Sequence, residues 1–182
     1  MSVLVGRKAP DFTTAAVMPD GSINQRFTLS DYLGRYVVLF VLPRDGTGGG
    51  SAEIIAHNIR LKQFEERNAQ LIGVSIDSEF SHYAWRNTPV DKGGIGPVGF
   101  PIVADKTHAI CRAYDVEHPE AGVALRGSFL IDRDGVVQHQ VVNNLPLGRE
   151  VDEMLRMVDA LQFTEEHGEV CPAGWRKGEE GM

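Results

Sequence analysis

The sequence predicts an α/β domain, a central mixed β-sheet with helices on both faces. Three observations carry this expectation. Residues 37–42 form a continuous apolar run, residues 52–68 repeat apolar side chains at helical spacing, and residues 70–76 form a second apolar run. Continuous apolar runs suit strands covered on both faces. Strand, helix and strand at this spacing make a βαβ unit, two parallel strands joined by a right-handed crossover.

The other elements follow from local signals. Residues 12–17 and 22–27 flank Pro19-Asp20-Gly21, a turn tripeptide that suits an opening hairpin. Ser30 is a candidate cap for a short helix that Gly34 ends. Ile54, Ile55, Ile59, Leu61 and Phe64 give the crossover helix its apolar face. Residues 78–86 and 106–114 read as helices, the latter with Asp105 as N-cap, and Gly93 to Pro97 lie in the loop between them. Residues 128–132 and 136–143 flank Arg133-Asp134-Gly135, a second hairpin signal. Val151, Met154, Leu155, Val158 and Leu161 then recur at i, i+3, i+4, i+7 spacing. Periodicity stops at Phe163, which divides the chain into a domain over residues 1–163 and a polar tail over 164–182. This order matches a thioredoxin-like fold with an N-terminal hairpin and a C-terminal tail.

Composition narrows the function classes. A chain of 182 residues with 42% hydrophobic content can bury one core. The net charge of -7 is spread along the sequence without a basic run, which argues against nucleic acid as a partner. No apolar stretch is long enough for a bilayer span, and residues 1–10 lack the apolar region of a secretory signal, so no membrane partner and a cytoplasmic location are expected. Cys111 and Cys171 are too few for a disulfide framework. The histidines at 57, 82, 108, 118, 139 and 167 contain no i, i+4 pair around a carboxylate, so neither a metal nor another cofactor is expected.

The stretch from Pro43 to Glu53 has two readings. An apolar strand runs into Gly46, Gly48, Gly49 and Gly50 and then into a helix, the arrangement that aims backbone N–H groups at a phosphate. Asp77 ends the second strand where a ribose-binding acid would stand, but Ser51 occupies the third glycine position and no Gly-Lys-Ser/Thr follows. A nucleotide-binding module through residues 46–51 is thus a distant alternative. A flexible strand-to-helix connection, suggested by the linker-like Thr-Gly-Gly-Gly-Ser, is the plainer one.

Five segments carry a wider resemblance. Val5-Gly6-Arg7-Lys8-Ala9-Pro10-Asp11-Phe12, Gly73-Val74-Ser75-Ile76-Asp77-Ser78, Ala84-Trp85-Arg86-Asn87-Thr88-Pro89, Arg126-Gly127-Ser128-Phe129-Leu130-Ile131-Asp132 and His167-Gly168-Glu169-Val170-Cys171-Pro172-Ala173-Gly174-Trp175 resemble the typical 2-Cys peroxiredoxins over essentially the full length. That group includes the peroxidase subunit of bacterial alkyl hydroperoxide reductase. The resemblance implies a thioredoxin-like fold and thiol-dependent reduction of hydrogen peroxide and alkyl hydroperoxides. It also implies a homodimer, with possible assembly into a decamer, and a thioredoxin or flavoprotein disulfide reductase as partner.

The family's motif, Pro-x-x-x-Thr/Ser-x-x-Cys, reads Pro43, Thr47, Gly50 in this chain. The resemblance makes Gly50 the peroxidatic position, with its cysteine missing. It makes Thr47 the hydroxyl that orients peroxide, Arg126 the cation that lowers the thiolate pKa, Pro43 the shield of the pocket, Glu53 a supporting acid and Cys171 the resolving cysteine. Gly46, Gly48 and Gly49 replace the family's Phe, Phe and Val, and Ser51 replaces a proline. Glycine has no atom able to attack an O–O bond, so the chain is expected to be inactive as a peroxidase. A ring-forming scaffold or chaperone-like holdase is the alternative that the resemblance permits. Cys111, among Ala109, Ile110, Ala113 and Tyr114, reads as a small buried hydrophobe, Cys171 as an exposed free thiol, and Trp85 and Trp175 as packing anchors.

Overall fold

The computed structural model describes residues 2–45 and 48–182. Seven strands form one mixed sheet, β1 (Thr13–Val17), β2 (Ile23–Thr28), β3 (Tyr36–Val41), β4 (Ala69–Ser75), β5 (Ile102–Ala104), β6 (Arg126–Ile131) and β7 (Val137–Asn143), in the order β2-β1-β5-β4-β3-β6-β7. The helices are α1 (Gly48–Ile59), α2 (Leu61–Glu66), α3 (Glu79–Arg86), α4 (Ala109–Ala113) and α5 (Val151–His167). β3 and β4 run parallel with Leu39 opposite Ile72, as the βαβ reading requires, and β4 runs parallel to β5. Both predicted hairpins are present, β1 with β2 and β6 with β7. The fold is thioredoxin-like.

The pleat explains why β3 is apolar throughout. Val37, Leu39 and Val41 enter one core with Val103, Tyr114 and Phe129, while Val38, Phe40 and Leu42 enter the other with Ile54, Phe64, Phe100 and Val158. Alternate residues of a strand face opposite sides, so a strand with helices on both sides needs apolar residues at every position. Gly73 on β4 keeps this packing close, since a Cβ there would meet the Phe40 ring at 3.3 Å and the Phe100 ring at 3.6 Å.

Four local expectations need correction. The crossover is two helices, broken at Arg60 (φ -100°, ψ 10°), whose guanidinium turns to the Asp152 carboxylate at 2.5 Å. Gly48, Gly49 and Gly50 form the first turn of α1 rather than a connecting loop. Ser30 lies inside a 3-10 turn (Leu29–Tyr32) and makes no cap; its N–H instead donates to Asp11 at 3.0 Å. Asp105 accepts from the N–H groups of Ile110 and Cys111 at 2.9 and 2.8 Å, so it caps α4 from a distance while His108 occupies the N-cap position at φ 63°.

The strand β5 was not foreseen. Three residues are too short for a periodic signal, and the strand forms because β4 and β1 present edges on either side of it.

Candidate active site

The site lies at the carboxyl end of β3, beside the parallel pair β3 and β4, where open α/β sheets present a crevice. Pro43 is buried just past the strand, and Gly50 is buried in the first turn of α1. Thr47 lies outside the described residues.

One turn further along α1, Glu53 joins two arginines. Arg126, which opens β6, places Nη1 3.2 Å from Oε1, and Arg149, which precedes α5, donates from Nε to Oε2 at 2.7 Å. Arg126 also donates to the Leu145 carbonyl at 2.7 Å, and Arg149 to the carbonyls of Gly127 and Val41. Burial pulls the Arg149 guanidinium below its usual range, opposed by the charge of Glu53. Two cations against one carboxylate leave the cluster net positive, and it lines a cavity of about 300 Å³ with Gly49, Ala52 and His57. The N-terminal end of a helix adds partial positive charge, so this corner favours an anion at the start of α1.

Two further groups shape the site. The His57 ring stacks on Phe40 with centroids 3.9 Å apart, and Nδ1–H donates to the Glu53 carbonyl at 2.7 Å. Burial pushes its pKa down to about 4, so the imidazole is neutral near pH 7. On the other side, Asp45 N–H donates to Asp77 at 2.5 Å, and the Asp45 carboxyl meets His82 Nδ1 at 2.5 Å. His82 Nε2–H donates to the Val103 carbonyl at 3.0 Å, so the ring is held at both nitrogens. Burial raises the Asp45 pKa. The chain entering the glycine run is thereby tied to β4, α3 and β5.

Of the residues singled out in the sequence, Pro43, Gly50, Glu53 and Arg126 gather at this corner. Cys171 does not. It is half-buried on the tail, with Sγ 3.5 Å from the Ala160 carbonyl and 3.7 Å from Thr164 Oγ1. Cys111 is fully buried, and burial pushes its thiol up to about 12, so without a bound cation it stays protonated and takes no part in peroxide chemistry. Trp85 and Trp175 are buried, as packing anchors should be.

Arg149, His57 and the Asp45–His82 pair escaped the sequence reading. Arg149 left one clue, since a cation just before a helix opposes the helix dipole and needs a carboxylate from elsewhere. His57 shares a helix face with Glu53 but matches no motif.

Comparison with known proteins gives a consistent picture. The pattern of the AhpC/TSA family matches residues 5–140, and that of the C-terminal domain of 1-Cys peroxiredoxin matches residues 160–182. The chain is 58% identical over 181 residues to alkyl hydroperoxide reductase C of Helicobacter pylori, covering 99% of this chain and 91% of that protein. The structure resembles the reduced 2-Cys peroxiredoxin of Plasmodium vivax with a TM-score of 0.95 at 44% identity, covering 99% of this chain and 93% of that one. It also resembles thioredoxin peroxidase I of Plasmodium yoelii, with a TM-score of 0.85 at 47% identity and coverage of 97% and 100%. No described helix is long and apolar enough to cross a membrane.

Proposed function

This chain belongs to the AhpC/TSA family of peroxiredoxins, and on that footing we propose that it keeps the family's scaffold but lacks its peroxidase reaction, because residue 50 is glycine. The family reduces peroxides. In that chemistry a thiolate attacks one peroxide oxygen, the O–O bond breaks, the leaving oxygen takes a proton, and the sulfur keeps the other oxygen as a sulfenic acid. A second thiol then displaces water to give a disulfide, which an external dithiol reduces.

The observation that carries the proposal is the net-positive Glu53–Arg126–Arg149 cluster one turn beyond Gly50. It is an environment suited to holding a thiolate, at a position with no sulfur. Cys171 is a poor substitute. Its Sγ lies 3.5 Å from the Ala160 carbonyl and 3.7 Å from Thr164 Oγ1, contacts that offer no positive charge to a thiolate. The resemblance to a thioredoxin peroxidase supports thioredoxin as the reductant that an active relative would use.

Hydrogen peroxide consumption coupled to thioredoxin and its reductase is therefore expected at the protein-free background. Turnover that disappears in Cys171→Ser would overturn the proposal by showing that the tail thiol does the chemistry.

A scaffold or holdase reading has one supporting feature. β7 is the outer strand of the sheet, with Val141 and Val142 38% and 40% exposed, an edge suited to pairing with a second copy. Such a dimer should persist on dilution, whereas a decamer closed beside the glycine-rich segment should dissociate first. Sedimentation velocity over a dilution series separates the two.

A further inference from the structure

Away from this site, His108, Cys111 and Glu117 bring an imidazole nitrogen, a thiol sulfur and a carboxylate oxygen within 4.8 Å of one another. His108 Nδ1 lies 2.7 Å from Glu117 Oε2, and Cys111 Sγ lies 3.8 Å from the same oxygen. We propose that these three side chains form a binding site for a divalent zinc-type cation, with water as fourth ligand.

The donor set fits that class. Thiolate, imidazole and carboxylate together match borderline-soft zinc better than the oxygen-only shells of calcium or magnesium. One thiolate and one carboxylate balance a charge of two. Bonds of about 2.0 to 2.3 Å at tetrahedral angles need ligand atoms roughly 3.2 to 3.6 Å apart. The sulfur–oxygen separation is already close to this. The His108–Glu117 pair must open by about half an ångström, which happens as the cation takes the place of the proton between them; that proton and the Cys111 thiol proton pass to solvent water.

The surroundings are also those of a metal site. Arg112 Nε donates to Glu117 Oε1 at 3.1 Å, which fixes the carboxylate and leaves Oε2 directed at His108 and Cys111. Asp105 holds the turn through the N–H groups of Ile110 and Cys111. His108 at φ 63° and Asp115 at φ 54° are left-handed, and strained backbone of this kind in a non-glycine residue is held in place only by its surroundings. His108 and Glu117 are 24% and 28% exposed at their side chains, which gives an entry path and room for the water.

The sequence hid this cluster because a histidine, a cysteine three residues later and a glutamate six beyond that match no usual ligand spacing. A bound metal would clip α4 to the segment that leads, through Val116, under Gly127 and Phe129 of β6.

The test is titration of the chelator-treated, full-length protein with cobalt(II), whose thiolate complexes absorb in the near ultraviolet. The expected result is a sulfur-to-cobalt band that saturates near one equivalent per chain and is bleached by zinc. Cys111→Ala should abolish the band, and Glu117→Gln, a change at a partly exposed carboxylate that leaves the core intact, should weaken binding at least tenfold. Cys171→Ser should leave the titration unchanged. No band at millimolar cobalt, a band that survives Cys111→Ala, unweakened binding in Glu117→Gln, or a band lost in Cys171→Ser would each overturn the site.

Discussion

Glu53 on α1 and Arg149 before α5 meet in a buried ion pair of 2.7 Å, and with it the helix that begins at the glycine run is fastened to the start of α5, its neighbour in the same core. Both side chains are under a tenth exposed. Glu53 also answers Arg126, so one carboxylate compensates two buried cations.

Glu53→Gln should therefore destabilise the protein by about 3 kcal/mol, the scale of leaving a buried charge uncompensated. Urea denaturation at pH 7 measures this. A loss below about 1 kcal/mol would mean that water already screens the cluster.

Restoring the thiol should expose the cost of the neighbouring glycines. Each glycine in a helix is worse than alanine by about 1 kcal/mol, and α1 begins with Gly48, Gly49 and Gly50. A Cβ at Gly49 would come 2.9 Å from Arg126 Nη2, so a residue there must displace the held guanidinium by a few tenths of an ångström (~0.3 Å) while it firms the turn. Gly50→Cys should recover measurable peroxide turnover, and adding Gly49→Val should raise kcat/KM about fivefold, as about 1 kcal/mol dictates. Equal activity in the single and double variants would refute the role given to the turn.

His57 gives stability a defined pH dependence. Its folded pKa is about 4, below the ordinary 6.5. Between those values the unfolded chain binds the proton that the folded chain refuses, so stability rises with pH across this window and is lost as pH falls from 6.5 towards 4. The full contribution is about 3 kcal/mol. His57→Phe keeps the stack on Phe40 and removes the titration. The difference in unfolding free energy between pH 7 and pH 4.5 should be smaller in this variant than in the parent, and parallel curves would sink the assignment.

The tail should be loosened through Trp175. Its ring packs on Phe163 at 4.8 Å, its indole N–H donates to Glu179, and its carbonyl accepts from Arg156. Trp175→Ala removes a fully buried aromatic, a change that typically costs about 3 to 5 kcal/mol. Labelling of Cys171 by a thiol reagent should speed up at least tenfold while Cys111 stays protected. An unchanged rate would show that Cys171 gains no shielding from the tail's packing.

Much of this molecule was legible residue by residue. The turn tripeptides of the two hairpins, the continuous apolar run of β3 and the helical spacing from Val151 onwards predict their elements because turn chemistry, burial and backbone geometry are local rules. The glycine at position 50 and the segments of family resemblance were equally visible in one dimension. Tertiary structure decided the rest. Gly48 to Gly50 disfavour a helix locally, yet they are helical because Glu53 and Ile54, one turn on, are anchored by Arg126, Arg149 and the core. β5 exists only because two strands distant in sequence offer it partners. Arg149 reaches Glu53 across 96 residues of sequence. Contacts between residues so far apart leave no periodic trace, and they arise only when the sheet brings the ends of its strands together.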